Sequence, residues 1–114
     1  LGRYLGLGDV LSNFQTGKLI RHLKKYKPDV VWLSGVHGYY VNWYRLIKFL
    51  KKNDIWTIYS MTDEFAFMGK CCSSFECEKY KTGCGQCPHL KNYPQSLIFD
   101  NSKFVFKSSI FLSV

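Results

Sequence analysis

The chain has 114 residues, of which 46% are hydrophobic and 18% aromatic, with nine Gly, three Pro and five Cys. That is enough for one compact domain and too little for two, and with eight Tyr, nine Phe and three Trp it excludes disordered, collagen-like and low-complexity chains. The net charge of +8 is unevenly spread: residues 1–60 carry ten basic and three acidic side chains, residues 61–114 six and five.

The chain opens on Leu1, not Met, and so reads as a piece of something longer. Gly6-Leu7-Gly8 is a weak phosphate-loop signal, with no third glycine and no convincing strand before it. From Thr16, a candidate N-cap, the pattern becomes helical, with Leu19, Ile20, Leu23 and Tyr26 on one face until Pro28 stops it. Val30-Val31-Trp32-Leu33 is a short continuous apolar run, as expected of a strand buried on both faces of a parallel sheet. A loop with two glycines, Ser34 to Gly38, follows. A second helix is predicted over about Tyr40 to Lys52, with Trp43, Leu46, Ile47 and Leu50 inward and Arg45, Lys48, Lys51 and Lys52 outward. Ile55 to Tyr59, β-branched and aromatic, reads as the next strand. Strand, helix and strand within about 30 residues make a βαβ unit with adjacent parallel strands. A cysteine-bearing stretch to about Pro94 comes next, and another helix is predicted after Asp100.

Ligands of open parallel sheets bind beyond the carboxyl ends of the strands, where His37-Gly38 and Thr62-Asp63 both fall. Asp63-Glu64 is an acidic pair in a basic chain: a carboxylate there can take a proton from a hydroxyl nucleophile or orient a sugar hydroxyl. Phe65 and Phe67 could raise its pKa by desolvation. The blander reading is a loop carboxylate that caps backbone amides. His37 could donate to a phosphate or sugar oxygen, and Tyr39, Tyr40, Trp43 and Tyr44 could form a stacking platform, although at helical spacing some must be core.

Cys71, Cys77, Cys84 and Cys87 have spacings from which four thiolates can close a tetrahedral structural zinc site, Cys84-Gly85-Gln86-Cys87 forming a tight knuckle. Disulfide pairing and plain reduced thiols in a compact loop are the alternatives. The lysines and arginines suit anionic partners, whether phosphate-bearing lipid, a membrane face or nucleic acid, or else solvate two helix faces. No apolar run approaches the roughly 18 residues that span a bilayer, and no secretory signal is visible, so a cytoplasmic location is the default.

The strings Lys27 to Leu33 and Val36 to Asn42, with Thr16 and Leu19-Ile20 before them, resemble the amino-terminal domain of bacterial family-4 glycosyltransferases of surface-polysaccharide assembly. Met61 to Cys71, Cys77 to Tyr80, Gly83 to Pro88, Tyr93 to Leu97, Asp100 and Ser102-Lys103 continue the resemblance. Many relatives carry His-Asp where this chain has Thr62-Asp63; a Pro-Asp-Glu-Phe version is nearer, and leaves the polar role to Asp63 and Glu64.

The resemblance implies an α/β fold, a Rossmann-like parallel sheet with flanking helices. Residues 1–114 would be a partial amino-terminal, acceptor-side domain of GT-B architecture, with a cysteine-rich insert over about 68–94. The first strand would precede Leu1 and the donor-binding domain would follow Val114. It further implies retaining hexosyl transfer from a nucleotide-sugar, held by the missing domain, to a glycan or lipid-linked acceptor. No cofactor would serve catalysis, and structural zinc would be the one metal to consider. Asp63 and Glu64 would be catalytic, and His37, Gly38 and Tyr39 would bind substrate. The basic helices would serve peripheral contact at the inner face of the membrane, with no nucleic-acid partner. A different class, a small zinc-containing nucleic-acid-binding module, is the alternative that the charge, aromatics and cysteines allow. In a sheet domain Trp32, Trp43 and Trp56 should be buried; in a binding module aromatics should be exposed beside the basic residues.

Overall fold

The structure is a computed structural model that describes residues 2–5, 11–35, 40–64, 68, 71–92 and 95–103. In chain order the elements are α1 (Gly2–Leu5), α2 (Asn13–Tyr26), β1 (Val30–Ser34), α3 (Trp43–Lys52) and β2 (Trp56–Ser60), then a single 3-10 turn at Lys79–Lys81. The strands pair in parallel, with Val30 opposite Trp56 and Leu33 opposite Tyr59, so the βαβ unit and the strand adjacency expected from the sequence are present.

α3 forms where its apolar periodicity places it. Asn42 caps the amino end, its side chain accepting a hydrogen bond from the Arg45 backbone N–H at 3.1 Å. Trp43, Leu46, Ile47 and Leu50 are all buried against Leu33, and Val31, Tyr59 and Ile55 pack around them. Each such side chain contributes about 1.5–3 kcal/mol on leaving water. The Trp43 and Tyr59 rings meet edge to face at 5.5 Å, joining helix to sheet.

α2 begins at Asn13, not after Thr16. Thr16 lies inside the helix and is wholly buried: its hydroxyl donates to the Ser12 carbonyl at 2.5 Å and accepts the Asn42 backbone N–H at 2.7 Å. Of the expected apolar face, Ile20 is buried and Leu23 packs on the core, whereas Leu19 and Tyr26 are exposed. The helix ends at Tyr26, with Lys27 in the left-handed region at φ 48° and its N–H bonded to the Leu23 carbonyl. Arg45 reaches back along α2, its guanidinium donating to the Asn13 carbonyl at 2.8 Å, while the Asn42 side-chain amide donates to the Asn13 side chain at 3.0 Å.

The expected burial of β1 on both faces is not found among the described residues. Side chains alternate across a strand. Val31, Leu33, Thr57 and Tyr59 therefore face the α3 side, while Val30, Trp32, Trp56 and Ile58 lie on the opposite face, which no described element covers. Trp43 is 1% exposed, but Trp32 and Trp56 are 70% and 78% exposed, which corrects the expectation that all three tryptophans are core. The helix expected after Asp100 falls chiefly on residues 104–114, outside the described residues.

Thr16→Val keeps the shape of the side chain but leaves the Asn42 N–H buried without its acceptor, and should destabilise the chain by about 1–3 kcal/mol. Thr16→Ser, which keeps the hydroxyl and loses a methyl, should cost only about 1 kcal/mol. Urea unfolding midpoints of the two variants distinguish the hydrogen bonds from the packing.

Candidate functional site

Two parallel, adjacent strands deliver their carboxyl ends to one edge of the sheet. Past the end of β1, Gly35 takes φ 57°, a conformation that suits glycine, and its carbonyl accepts the Tyr40 hydroxyl at 2.5 Å. Past the end of β2 come Thr62, Asp63 and Glu64. Tyr59, on the α3 side of β2, connects the two. Its phenol is pushed up to about 12, first by burial and then by the negative charge of Asp63, with smaller effects from Cys72 and Tyr40. Gly35, Tyr40, Tyr59 and Asp63 thus belong to one neighbourhood at the carboxyl edge, as the topology requires.

The two acidic residues have different settings. Asp63 faces the Tyr59 phenol electrostatically. Glu64 is tied to the following segment: its backbone N–H donates to the Cys72 carbonyl at 2.9 Å, and its carboxylate accepts the Ser74 backbone N–H. Glu64 therefore fastens the end of β2 to the cysteine segment. Of the stacking candidates, Trp43 is core, Tyr44 is half-buried with its phenol pushed up by burial, and Tyr40 is exposed over the Gly35 turn. His37, Gly38 and Tyr39 lie outside the described residues, as do Gly6 to Gly8, Phe65 and Phe67.

The structure separates the two adjacent cysteines. Cys72 packs against the hydrophobic core, while Cys71, Cys77, Cys84 and Cys87 line one small cavity of about 20 Å³, with Met68 and Tyr80 also in its wall. None of the five cysteines is in a disulfide, and among the described residues no three His, Cys, Asp or Glu side chains are gathered closely enough to hold a metal ion. His89 does not line the cavity; its ring lies against Phe75 at 5.1 Å.

Lys18, Arg21, His22 and Lys25 line an open groove along α2. Phe14 is 71% exposed beside them, with the Lys18 ammonium 4.6 Å from the centre of its ring. Among the described residues no helix is long and apolar enough to cross a membrane.

Sequence reasoning missed the polar junction of Asn13, Thr16, Asn42 and Arg45, and also Tyr59. Asn42 placed immediately before an apolar-periodic run was the available signal for the junction. Nothing in the spacing of Tyr59 singles it out, because its setting comes first from burial and then from the charge of Asp63, four residues later.

In comparison with known proteins, the chain is 30% identical over 92 residues to an Escherichia coli (strain K12) protein described as a colanic acid biosynthesis glycosyl transferase, WcaC. The similarity covers 75% of this chain and 22% of that protein, so the chain spans about a fifth of the length of the relative it matches. The match supports a relationship to glycosyltransferases. No family model matches the chain, and no solved structure matches at a significant level.

A phenol whose pKa is raised on folding holds its proton more tightly in the folded state. Its contribution is therefore intact below the ordinary tyrosine pKa and is lost as pH rises from about 10 toward 12. In a phenolate absorbance titration of the folded chain, one late-titrating phenol should disappear in Tyr59→Phe, and the fall in stability across that pH window should become shallower.

Proposed function

We propose that the chain is the acceptor-side, amino-terminal part of a bacterial family-4 glycosyltransferase of GT-B architecture, acting in surface-polysaccharide biosynthesis. The similarity to the colanic acid glycosyl transferase carries this reading. The parallel β1–β2 pair supports it, because it sets Gly35 and Asp63 at the sheet edge where α/β folds receive ligands.

In this reading the full-length enzyme transfers a hexosyl group from a nucleotide-sugar to a glycan or lipid-linked acceptor. The donor is held by a second domain outside this chain, and no cofactor takes part in the transfer. His37, Gly38 and Tyr39 border the acceptor side. Asp63 accepts a proton from, or orients, a sugar hydroxyl, a reading that its electrostatic effect on the Tyr59 phenol supports. Glu64 holds that rim in place through Ser74 and Cys72. Lys18, Arg21 and Lys25 beside exposed Phe14 give α2 the character of a surface that rests on anionic lipid, consistent with work at the inner face of the membrane.

In the full-length enzyme, Asp63→Asn should lower kcat by about 10²–10⁴-fold, the usual worth of a positioned acid or base. The urea midpoint should be unchanged. Residues 1–114 alone should transfer no sugar, and measurable transfer by them would overturn the division of labour between two domains. If the full-length protein is inactive with every nucleotide-sugar tried, while this chain binds an oligonucleotide with an affinity that falls steeply with salt, the nucleic-acid-binding class replaces this one.

A further inference from the structure

One side of α2 is committed to the rest of the chain: Thr16 and Ile20 are buried there and Leu23 packs on the core. Phe14, Lys18, Arg21 and Lys25 recur at intervals of four, three and four residues, which sets them in one line down the opposite side. At 1.5 Å per residue that line is about 16 Å long. We infer that it is a docking surface for an anionic bilayer, with lipid phosphates in the groove of Lys18, Arg21, His22 and Lys25 and the Phe14 ring entering the acyl boundary.

The first support is charge. α2 contains Lys18, Arg21, Lys24 and Lys25 and no Asp or Glu, so nothing on the helix opposes an anionic partner. Among the described residues, none of Lys18, Arg21 and Lys25 is paired with a carboxylate. Lys24 and Lys25 lie in the last turn, where the helix dipole favours cations. Lys18 and Arg21 are too far from that end to gain from it, and their place in the groove is left to be explained by what the groove meets.

The second support is the apolar group in the same line. Phe14 faces away from the core and is 71% exposed, so folding gives its ring no cover. The Lys18 ammonium lies 4.6 Å from the centre of that ring, one helical turn on. At the other end Tyr26 is exposed, with the His22 ring edge-on to it at 5.9 Å. Cations flanked by an apolar ring and a phenol match the step from acyl chain to phosphate at a bilayer surface. A soluble polyphosphate or a nucleic acid would neutralise the lysines and leave Phe14 in water. The contact rests on the transferase reading for its setting at the inner face of a membrane, and adds to it which residue meets which depth of the lipid.

The test is sedimentation of the 114-residue chain with vesicles of phosphatidylcholine alone, or with about one-third phosphatidylglycerol, at physiological ionic strength. The chain should bind the anionic vesicles and not the neutral ones. Each basic residue near an anionic surface is worth about fivefold in partition, so Lys18→Glu combined with Lys25→Glu should weaken binding by more than about 25-fold. Phe14→Ser should weaken it by about tenfold, with a loss that persists when added salt screens the charges. Lys48→Glu combined with Lys52→Glu makes the same change in net charge at exposed positions of α3 and should cost less than about fivefold.

All these side chains are exposed, so urea midpoints should match the parent's. Equal binding to neutral and anionic vesicles would overturn the assignment, as would equal losses from the α2 and α3 pairs. Loss in Trp56→Ser with the α2 variants unaffected would move the contact to the outer sheet face and overturn it too. So would salt-sensitive binding of an oligonucleotide by a chain that ignores vesicles. Sugar transfer is not measured, so failure here leaves the transferase reading standing, and failure of that reading leaves vesicle binding to be judged by itself.

Discussion

The hydroxyl of Thr16 is the point at which α2 and α3 are joined. It is fully buried, gives its proton to the Ser12 carbonyl and accepts the backbone N–H of Asn42, the residue that caps α3. A helix start has N–H groups with no partner inside the helix, and a buried one must find an acceptor elsewhere. Here one helix supplies that acceptor to the other. The alternatives open to α3 are thereby reduced: a shift by one residue would strand the Asn42 N–H and withdraw Arg45 from the Asn13 carbonyl. Once α3 is fixed, Trp43, Leu46, Ile47 and Leu50 set the position of Leu33 and Tyr59, and so of both strands.

The strand ends follow from that packing. Because β1 and β2 are parallel and in register, the segments leaving them must emerge at the same edge, and Tyr40, Tyr59 and Asp63 come together there. The rim thus depends on a polar contact at the amino-terminal end of α3, where Asn42 follows Tyr40 in the segment that leaves β1. The cysteine segment is secured to this frame through Glu64, which bonds Cys72 and Ser74, and Asp100 ties Cys87 to the residues that follow the segment.

How much of this could be read beforehand depended on the kind of signal. α3 and its inward face were legible because four apolar positions recur at helical spacing, although the start was read at about Tyr40 and not at the Asn42 cap, and the parallel pairing followed from strand, helix and strand in succession. The start of α2 was misplaced because Thr16 has the residue type of a cap, and only the Asn42 N–H, 26 residues later in sequence, explains why its hydroxyl turns inward. β1 was expected to be covered twice because a continuous apolar run cannot show which faces find partners. At the rim, Asp63 was singled out by residue type. The distinction between Asp63, which acts on the Tyr59 phenol, and Glu64, which ties down a loop, depends on Tyr59, Ser74 and Cys72, which spacing could not place. The same holds for Cys71 and Cys72, equivalent as letters and separated only by what each side chain meets.

The unequal burial of the three tryptophans gives the chain a built-in optical readout. Trp43, in the helix core against Tyr59, should emit toward the blue and resist a soluble quencher; Trp32 and Trp56, on the outer sheet face, should emit toward the red and be quenched first. The two populations report separately on the interior and on that face. Anything that settles over Val30, Trp32, Trp56 and Ile58 would shift the red component alone, while loosening of the α2–α3 joint would change the blue one.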